Sequence, residues 1–368
     1  MMIGDIGEEK YGRAKIIPVF LPNQGCPNRC IFCNQKEVVG TSLIHTPREV
    51  YPLIQAYLNT IRTSWQKKWP GFSERIEVAF YGGNFTGLPA EVQREFLRPA
   101  ARLVSEGQID GLRISTRPDY ISEAGLELLA SFGVKTVEVG VQSMDEEVLK
   151  RAGRLYSGHQ VTRAVELLRG GGFIIGLHLM VGLPGESPAS RSETIDKVIK
   201  LSPHFVRIHP TLVLKGTELE RMYREGNYRP MSLDEATEVC KEFSLRLMRS
   251  RIGVARIGLQ SVPQMQESES VIAGPFHPAL GELVASSIAY ERMEELLSRQ
   301  QSGRLEGGNN RQIMILVPER ELSMFIGHKR QNLNRLRQKY CGWQIFIQPD
   351  RSLKPGELRC VEIVSAPV

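Results

Sequence analysis

Long apolar runs are missing from this 368-residue chain. The longest, Phe173 to Leu183, is eleven residues and is broken by Gly176 and His178. A membrane-spanning helix needs about 20. The N-terminal stretch MMIGDIGEEKYGRAK mixes acidic and basic residues and carries no apolar segment of the kind a secretory signal requires. These absences predict a cytoplasmic protein with no membrane partner. Cysteine is scarce as well, six in all. In a reducing compartment, cysteines that cluster point to metal or catalysis before disulfides. No internal repeat stands out beyond strand–helix units.

Half of the cysteines do cluster. Cys26, Cys30 and Cys33 lie in GCPNRCIFCNQ, with spacing C-x3-C-x2-C and no fourth cysteine nearby. Three thiolates thus converge and one coordination place stays open. Iron–sulfur clusters normally take four cysteines, and structural zinc takes four ligands in paired C-x2-4-C units. The spacing favours an iron–sulfur cluster with a free iron. A zinc knuckle with a distant fourth ligand, or core cysteines, are the alternatives. The scattered Cys240, Cys341 and Cys360 read as buried core thiols.

A strand–helix rhythm runs from about residue 15 to 260. Strands are predicted at Lys15–Leu21, Ile76–Tyr81, Leu112–Thr116, Thr136–Val141, Ile174–Val181 and Phe205–Leu212, with a possible seventh at Val254–Leu259. Helical patterns such as Glu49–Ser64, Glu91–Glu106, Ser122–Phe132, Gln160–Arg169 and Ser190–Leu201 separate them. Alternation of this kind implies a parallel sheet wrapped by helices. The predicted fold class is α/β: a partial or complete βα (TIM-like) barrel of six to seven strands. Reactive residues of such barrels sit at the C-terminal strand ends. The cysteine loop, Tyr81-Gly82-Gly83-Asn84, Ser115-Thr116-Arg117, Gln142-Ser143, Gly182–Glu186 and His209-Pro210-Thr211 all fall there.

The barrel unit is assigned to residues 1–300, and the linker-like stretch 301–310 follows it. Residues 311–368 form a predicted small α+β domain. It has a strand at Arg311–Val317, a helical region at Glu319–Tyr340, and strands at Gln344–Gln348 and Arg359–Val364. Residues 311–364 carry ten Lys/Arg against five Asp/Glu, so +5 of the chain's net +6 lies there.

With Phe32 before its third cysteine, the triplet resembles the signature of the radical S-adenosylmethionine (radical SAM) superfamily. The resemblance implies a [4Fe-4S] cluster on Cys26, Cys30 and Cys33, with S-adenosylmethionine bound through its amino and carboxylate groups to the fourth iron. It further implies that Gly82, Gly83 and Asn84 take the amino end of the cofactor. Gln142 and Ser143 would lie near the ribose, and Arg154 would meet the carboxylate, for which an arginine fork is suited. Phe32, Ser115 and Gly182 complete the expected cofactor set. His178, in an apolar strand, reads as a satisfied core histidine. Tyr81, Arg117, His209 and His277 are the catalytic candidates, being at strand ends or in polar, proline-flanked segments.

The segments AFYGGNFTGLP, RIHPTLVLKGTELERMYREGNYRPMS and AGPFHPALGEL narrow the resemblance to the catalytic subunit of Elongator and its bacterial relatives, over about residues 15–295. That family modifies the wobble uridine of tRNA and carries a C-terminal acetyltransferase domain. This chain, ending at Val368, is expected to lack that domain. The turn IGHKRQNL, from Ile326, resembles the I-G-x-x-G-x-x-I turn of KH domains, with Arg330 at the second glycine's place. Gly327, Lys329, Arg330, Arg335, Arg337 and Lys339 are therefore the RNA-binding candidates. The expected function is reductive cleavage of S-adenosylmethionine to a 5′-deoxyadenosyl radical that takes hydrogen from RNA, tRNA first. A low-potential donor of flavodoxin or ferredoxin type would supply the electron. Radical SAM chemistry on a small molecule or protein is one alternative. A non-catalytic metal-bound RNA-binding protein is the other.

Overall fold

Every second residue along the main strands is apolar and packs outward, and the sheet they build is curved around the remaining positions. A computed structural model of the chain describes residues 14–35, 37, 46–65, 75–259, 270–302 and 311–362. The strands are β1 (Ala14–Phe20), β2 (Arg75–Tyr81), β3 (Gly111–Thr116), β4 (Val134–Gln142), β5 (Ile174–Val181), β6 (Phe205–Pro210), β7 (Val213–Leu214), β8 (Gly253–Ile257), β9 (Val271–Ala273), β10 (Arg311–Pro318), β11 (Trp343–Asp350) and β12 (Arg359–Glu362). Seven of them form one parallel sheet in the order β1-β2-β3-β4-β5-β6-β8. Among the described residues no pairing joins β1 to β8, so this is a half-barrel open on one side. The sequence places all seven strands. It carries β6 two residues too far, since Thr211 and Leu212 lead instead into β7, which pairs antiparallel with β9.

Helices cover the outside. They are α1 (Pro47–Trp65), α2 (Ala90–Ser105), α3 (Glu123–Ser131), α4 (Glu146–Arg151), α5 (Gly158–Gly170), α6 (Pro188–Leu201), α7 (Glu218–Arg224), α8 (Leu233–Arg249) and α9 (Leu280–Ser302). Their starts follow from local chemistry. Ser157 and Gln160 form a capping box on α5, as Ser232 and Glu235 do on α8. Outward strand residues such as Ile17, Phe80, Ile114, Val139, Leu177 and Ile208 are fully or almost fully buried against the apolar faces of these helices. The alternate positions face the lumen.

The C-terminal unit adds α10 (Leu322–Ile326) and α11 (Gln331–Lys339) between β10 and β11, with sheet order β11-β10-β12. Strand β10 runs parallel to β11 and antiparallel to β12. Helix α9 belongs to both units. Leu280, Val284 and Ile288 enter the barrel core, whereas Tyr290, Met293 and Leu297 enter the C-terminal core. The boundary predicted at residue 300 thus falls inside α9, and residues 303–310 of the predicted linker lie outside the described residues. Of the three scattered cysteines only Cys240 is a buried core thiol; Cys341 is exposed and Cys360 half-buried. No helix among the described residues is long and apolar enough to cross a membrane.

Candidate active site

The cysteine loop is fastened to the β2 loop by backbone hydrogen bonds. Leu21 N–H donates to Tyr81 (2.7 Å), Asn23 N–H to Gly82 (2.8 Å) and Asn84 N–H to Gln24 (2.9 Å). Such close approach demands glycine: a Cβ at Gly83 would stand 2.4 Å from the Gln24 carbonyl oxygen. Asn84 locks the junction. It is fully buried; its Nδ2 donates to the Gly25 carbonyl (2.9 Å), and its Oδ1 accepts from Thr116 Oγ1 (2.7 Å) and the Arg117 N–H (3.1 Å). The asparagine expected to meet a cofactor therefore serves as a brace behind the loop.

A cavity of ≈ 470 Å³ opens at this end of the barrel. All three clustered cysteines line it, with Phe32, Gly82, Gly83, Ser115, Gln142 and Arg154 on the surrounding wall. None of the three thiols is in a disulfide. Burial and the neighbouring Cys30 and Cys26 push the Cys33 thiol up to about 11. Arg154 Nη1 donates to Cys30 Sγ (3.4 Å) and Nη2 to the Gly140 carbonyl (2.9 Å). Tyr156, beneath it, donates to the same carbonyl (2.6 Å). A Cβ at Gly140 would meet Arg154 Nη2 at 2.9 Å, so the glycine makes room for the arginine. Arg154 Nε is buried without a hydrogen-bond partner among the described residues. Gln142 reaches the wall from a left-handed backbone (φ 65°) at an irregularity in the β4–β5 register, a strained state concentrated at functional sites.

Three thiols, an orphaned guanidinium N–H and a glycine-lined rim fit an iron–sulfur cluster with a zwitterionic ligand. Cys33 feels both Cys26 and Cys30 electrostatically, so the three thiols share one end of the cavity.

Other expected residues lie elsewhere. Ser143 is buried, sharing a hydrogen bond with Thr194 (3.2 Å) and accepting from the Asp145 N–H (3.1 Å). Gly182 borders a separate cleft, where its carbonyl accepts from Tyr228 (2.6 Å). His277 does not line the cavity; its Nδ1 accepts from the Ala279 N–H (3.1 Å) just before α9. Arg117 does line the cavity, yet it is clamped in a two-pronged pair with Asp119 (2.9 and 2.8 Å).

Deeper in the lumen stands a polar network that motif reading missed. Glu138, fully buried, accepts from Tyr81 Oη (2.6 Å) and Arg113 Nη1 (2.8 Å) through Oε1. Its Oε2 meets His178 Nε2 (2.5 Å) and Arg207 Nε (2.7 Å). Arg113 also grips Glu77 (2.7 Å). Burial alone would raise the Glu138 carboxyl; Arg207, His178 and Arg113 outweigh it and hold the group well below the usual range. Burial and Glu138 push the Tyr81 phenol up, so it stays a donor. His178 is thus a member of the cavity wall, not a core histidine, and His209 stands edge to face with it at 5.5 Å. The signal was present as charges at alternate positions of otherwise apolar strands: Glu77 in RIEVAFY, Arg113 in GLRIST, Glu138 in VKTVEVGVQ and Arg207 in FVRIHP.

In the C-terminal unit, Gly327, Lys329 and Arg330 have φ of 79°, 48° and 62°, and Arg330 N–H donates to Gly327 (3.0 Å). Asn332 anchors this turn to α9 through the Ser286 carbonyl (2.8 Å). Lys329 and Arg330 are exposed at its tip. The other basic candidates have internal partners. Arg337 donates twice to the Ile345 carbonyl (3.1 and 2.8 Å), Lys339 pairs with Glu294, and Arg335 lies 4.0 Å over the Tyr290 ring.

The family model of the Radical SAM superfamily matches residues 20–198, and that of the Radical_SAM C-terminal domain matches residues 203–290. The chain belongs to the radical SAM superfamily. Within it, the chain is 28% identical over 311 residues to a tRNA uridine(34) acetyltransferase of Methanocaldococcus infernus, covering 76% of this chain and 56% of that protein. It is 26% identical over 333 residues to Elongator complex protein 3 of Homo sapiens, covering 82% and 56% respectively. The chain thus spans about half the length of these relatives. A solved structure, the archaeal Methanocaldococcus infernus Elp3 with an N-terminus deletion, aligns with a TM-score of 0.57 at 24% identity, covering 77% of this chain and 63% of that one. That likeness shows the fold.

Proposed function

We propose that this chain is a radical SAM enzyme that modifies RNA, with tRNA the first substrate to test. The observation that carries the reading is the convergence of three free thiols, the glycine rim and the orphaned Arg154 Nε on one cavity. Cys26, Cys30 and Cys33 would hold a [4Fe-4S] cluster. The Gly82–Gly83 backbone would take the amino group of S-adenosylmethionine, Arg154 its carboxylate, and Gln142 its ribose side. When bound, cluster and cofactor supply a 5′-deoxyadenosyl radical, the chemistry belonging to them rather than to the protein. This chain's own residues orient the cofactor and wall it from water. Tyr81, held by Glu138, offers a fixed phenol at the cavity wall. Lys329 and Arg330 at the exposed turn support RNA as the substrate, since phosphate neutralisation supplies most non-specific affinity. So do the relatives named for tRNA modification.

The test is anaerobic incubation of the reconstituted protein with S-adenosylmethionine, a low-potential reductant of flavodoxin or ferredoxin type, and total tRNA. Mass spectrometry should find 5′-deoxyadenosine and a nucleoside of altered mass. Full iron content and cofactor cleavage in Cys30→Ala would overturn the cluster assignment. Cleavage stimulated by small metabolites and never by RNA would move the substrate to another class.

A further inference from the structure

Below its mouth the cavity continues to a wall formed by Arg207 and His209 of β6, His178 of β5 and Arg256 of β8. Arg207 and Arg256 are register partners on adjacent strands. Glu138 has both carboxylate oxygens engaged by four side chains, so it is not available to a ligand. His209 is different: its Nδ1 is buried and has no hydrogen-bond partner among the described residues. Buried polar atoms are nearly always paired in folded proteins, and an orphan asks what pairs with it.

The field at this place has a sign. Burial, with His178, Arg207 and Arg256 around it, pushes the His209 imidazole down to about 3; Glu138 acts the other way and is outweighed. Arg207 likewise depresses Arg256, after burial. The ring is therefore neutral, one nitrogen donating and the other accepting. Its surroundings disfavour positive charge and favour negative.

We propose that this deep wall is a binding subsite for a small oxyanion-bearing ligand, a carboxylate or a phosphate, held by Arg207, Arg256 and His209 beside the cofactor rather than in its place. Guanidiniums suit both oxyanions; Arg207 turns its Nε and Nη2 to Glu138 and Tyr81, so it meets the ligand through its Nη1 side. The neutral imidazole donates through the nitrogen that has no protein partner. The subsite names a second ligand class for the cavity and rests on the reading of the mouth as the cofactor's place.

Cluster-loaded protein, prepared anaerobically, is first titrated with S-adenosylmethionine. Failure of that step counts against the cofactor reading alone, because the oxyanion titration proceeds on the same protein either way. Malonate and inorganic phosphate are then added separately in a calorimeter, which distinguishes a carboxylate from a phosphate source. One of them is expected to bind at one per chain, at least tenfold more weakly in Arg256→Met and closer to the original in Arg256→Lys. Nitrogen resonances of His209 should shift on binding in the unmodified protein, a readout that stands even if the methionine variant folds poorly. Binding of neither anion overturns the proposal. Equal binding in Arg256→Met means an adventitious ion only and overturns it as well. Loss of binding when the cofactor is saturating assigns the anion to the cofactor's own carboxylate pocket, with the same consequence.

Discussion

Glu138 draws side chains from four strands, β2, β3, β5 and β6, onto one carboxylate. Removing one partner of a buried ion pair leaves the others uncompensated, at a cost of about 3–5 kcal/mol. Glu138→Gln should lose stability on that scale in a denaturant titration; a loss under about 1 kcal/mol, the level of an exposed pair, would contradict the network's importance. The same residue sets a pH dependence. Its folded carboxyl lies well below the usual value, whereas an unfolded glutamate titrates near ~4.3. The unfolded state then binds more protons, so the stabilisation is present above that value and lost as pH falls toward the folded one. Melting temperatures of the unmodified protein should therefore drop below about pH 5, and those of Glu138→Gln should drop less. Parallel declines would show that other carboxylates dominate.

Loops and turns carry the next set of consequences. Gly83→Ala places a methyl group against the carbonyl oxygens of Gln24 and Leu21, and relieving such overpacking typically costs about 1–3 kcal/mol. The cysteine loop must shift, and the variant should retain less iron per chain after anaerobic reconstitution. An unchanged iron-to-protein ratio would mean that the loop tolerates the shift. At the Gly327–Arg330 turn, basic residues divide by their partners. If RNA is the substrate as proposed, Lys329→Glu with Arg330→Glu should weaken its binding and lower the slope of log affinity against log salt by about 2, one per lost phosphate contact. Arg337→Ala, which forfeits two bonds to Ile345, should lower the melting temperature and leave that slope alone. A reversed pattern would place the RNA on the helix face.

For the molecule as a whole, α9 couples the two units. Met293 and Leu297 are fully buried in the C-terminal core, and each such side chain is worth about 1.5–3 kcal/mol. The 368-residue chain should melt in one transition, and removal of residues 311–368 should lower it. Two resolved transitions in calorimetry would refute the shared core. Much of this architecture was legible in advance. Alternating apolar residues and short Val/Ile runs fix seven strands, because a strand's period of two is local. The cysteine spacing likewise marks its loop by chemistry alone. The shared helix was not legible, since α9 carries two apolar faces for two cores and no composition change between them. Nor was the fate of each polar residue: Asn84 and Arg117 look like ligands in sequence, but the fold assigns them to a loop brace and an ion pair. Glu138 and His178 look like strand filler, but the curved sheet brings them together in the lumen. The sequence by itself determined the strands, the three thiolates and the glycines beside them. Only the tertiary structure decided which charges face one another, because the Glu138 partnerships span from 25 to 69 residues and form only when the sheet curls.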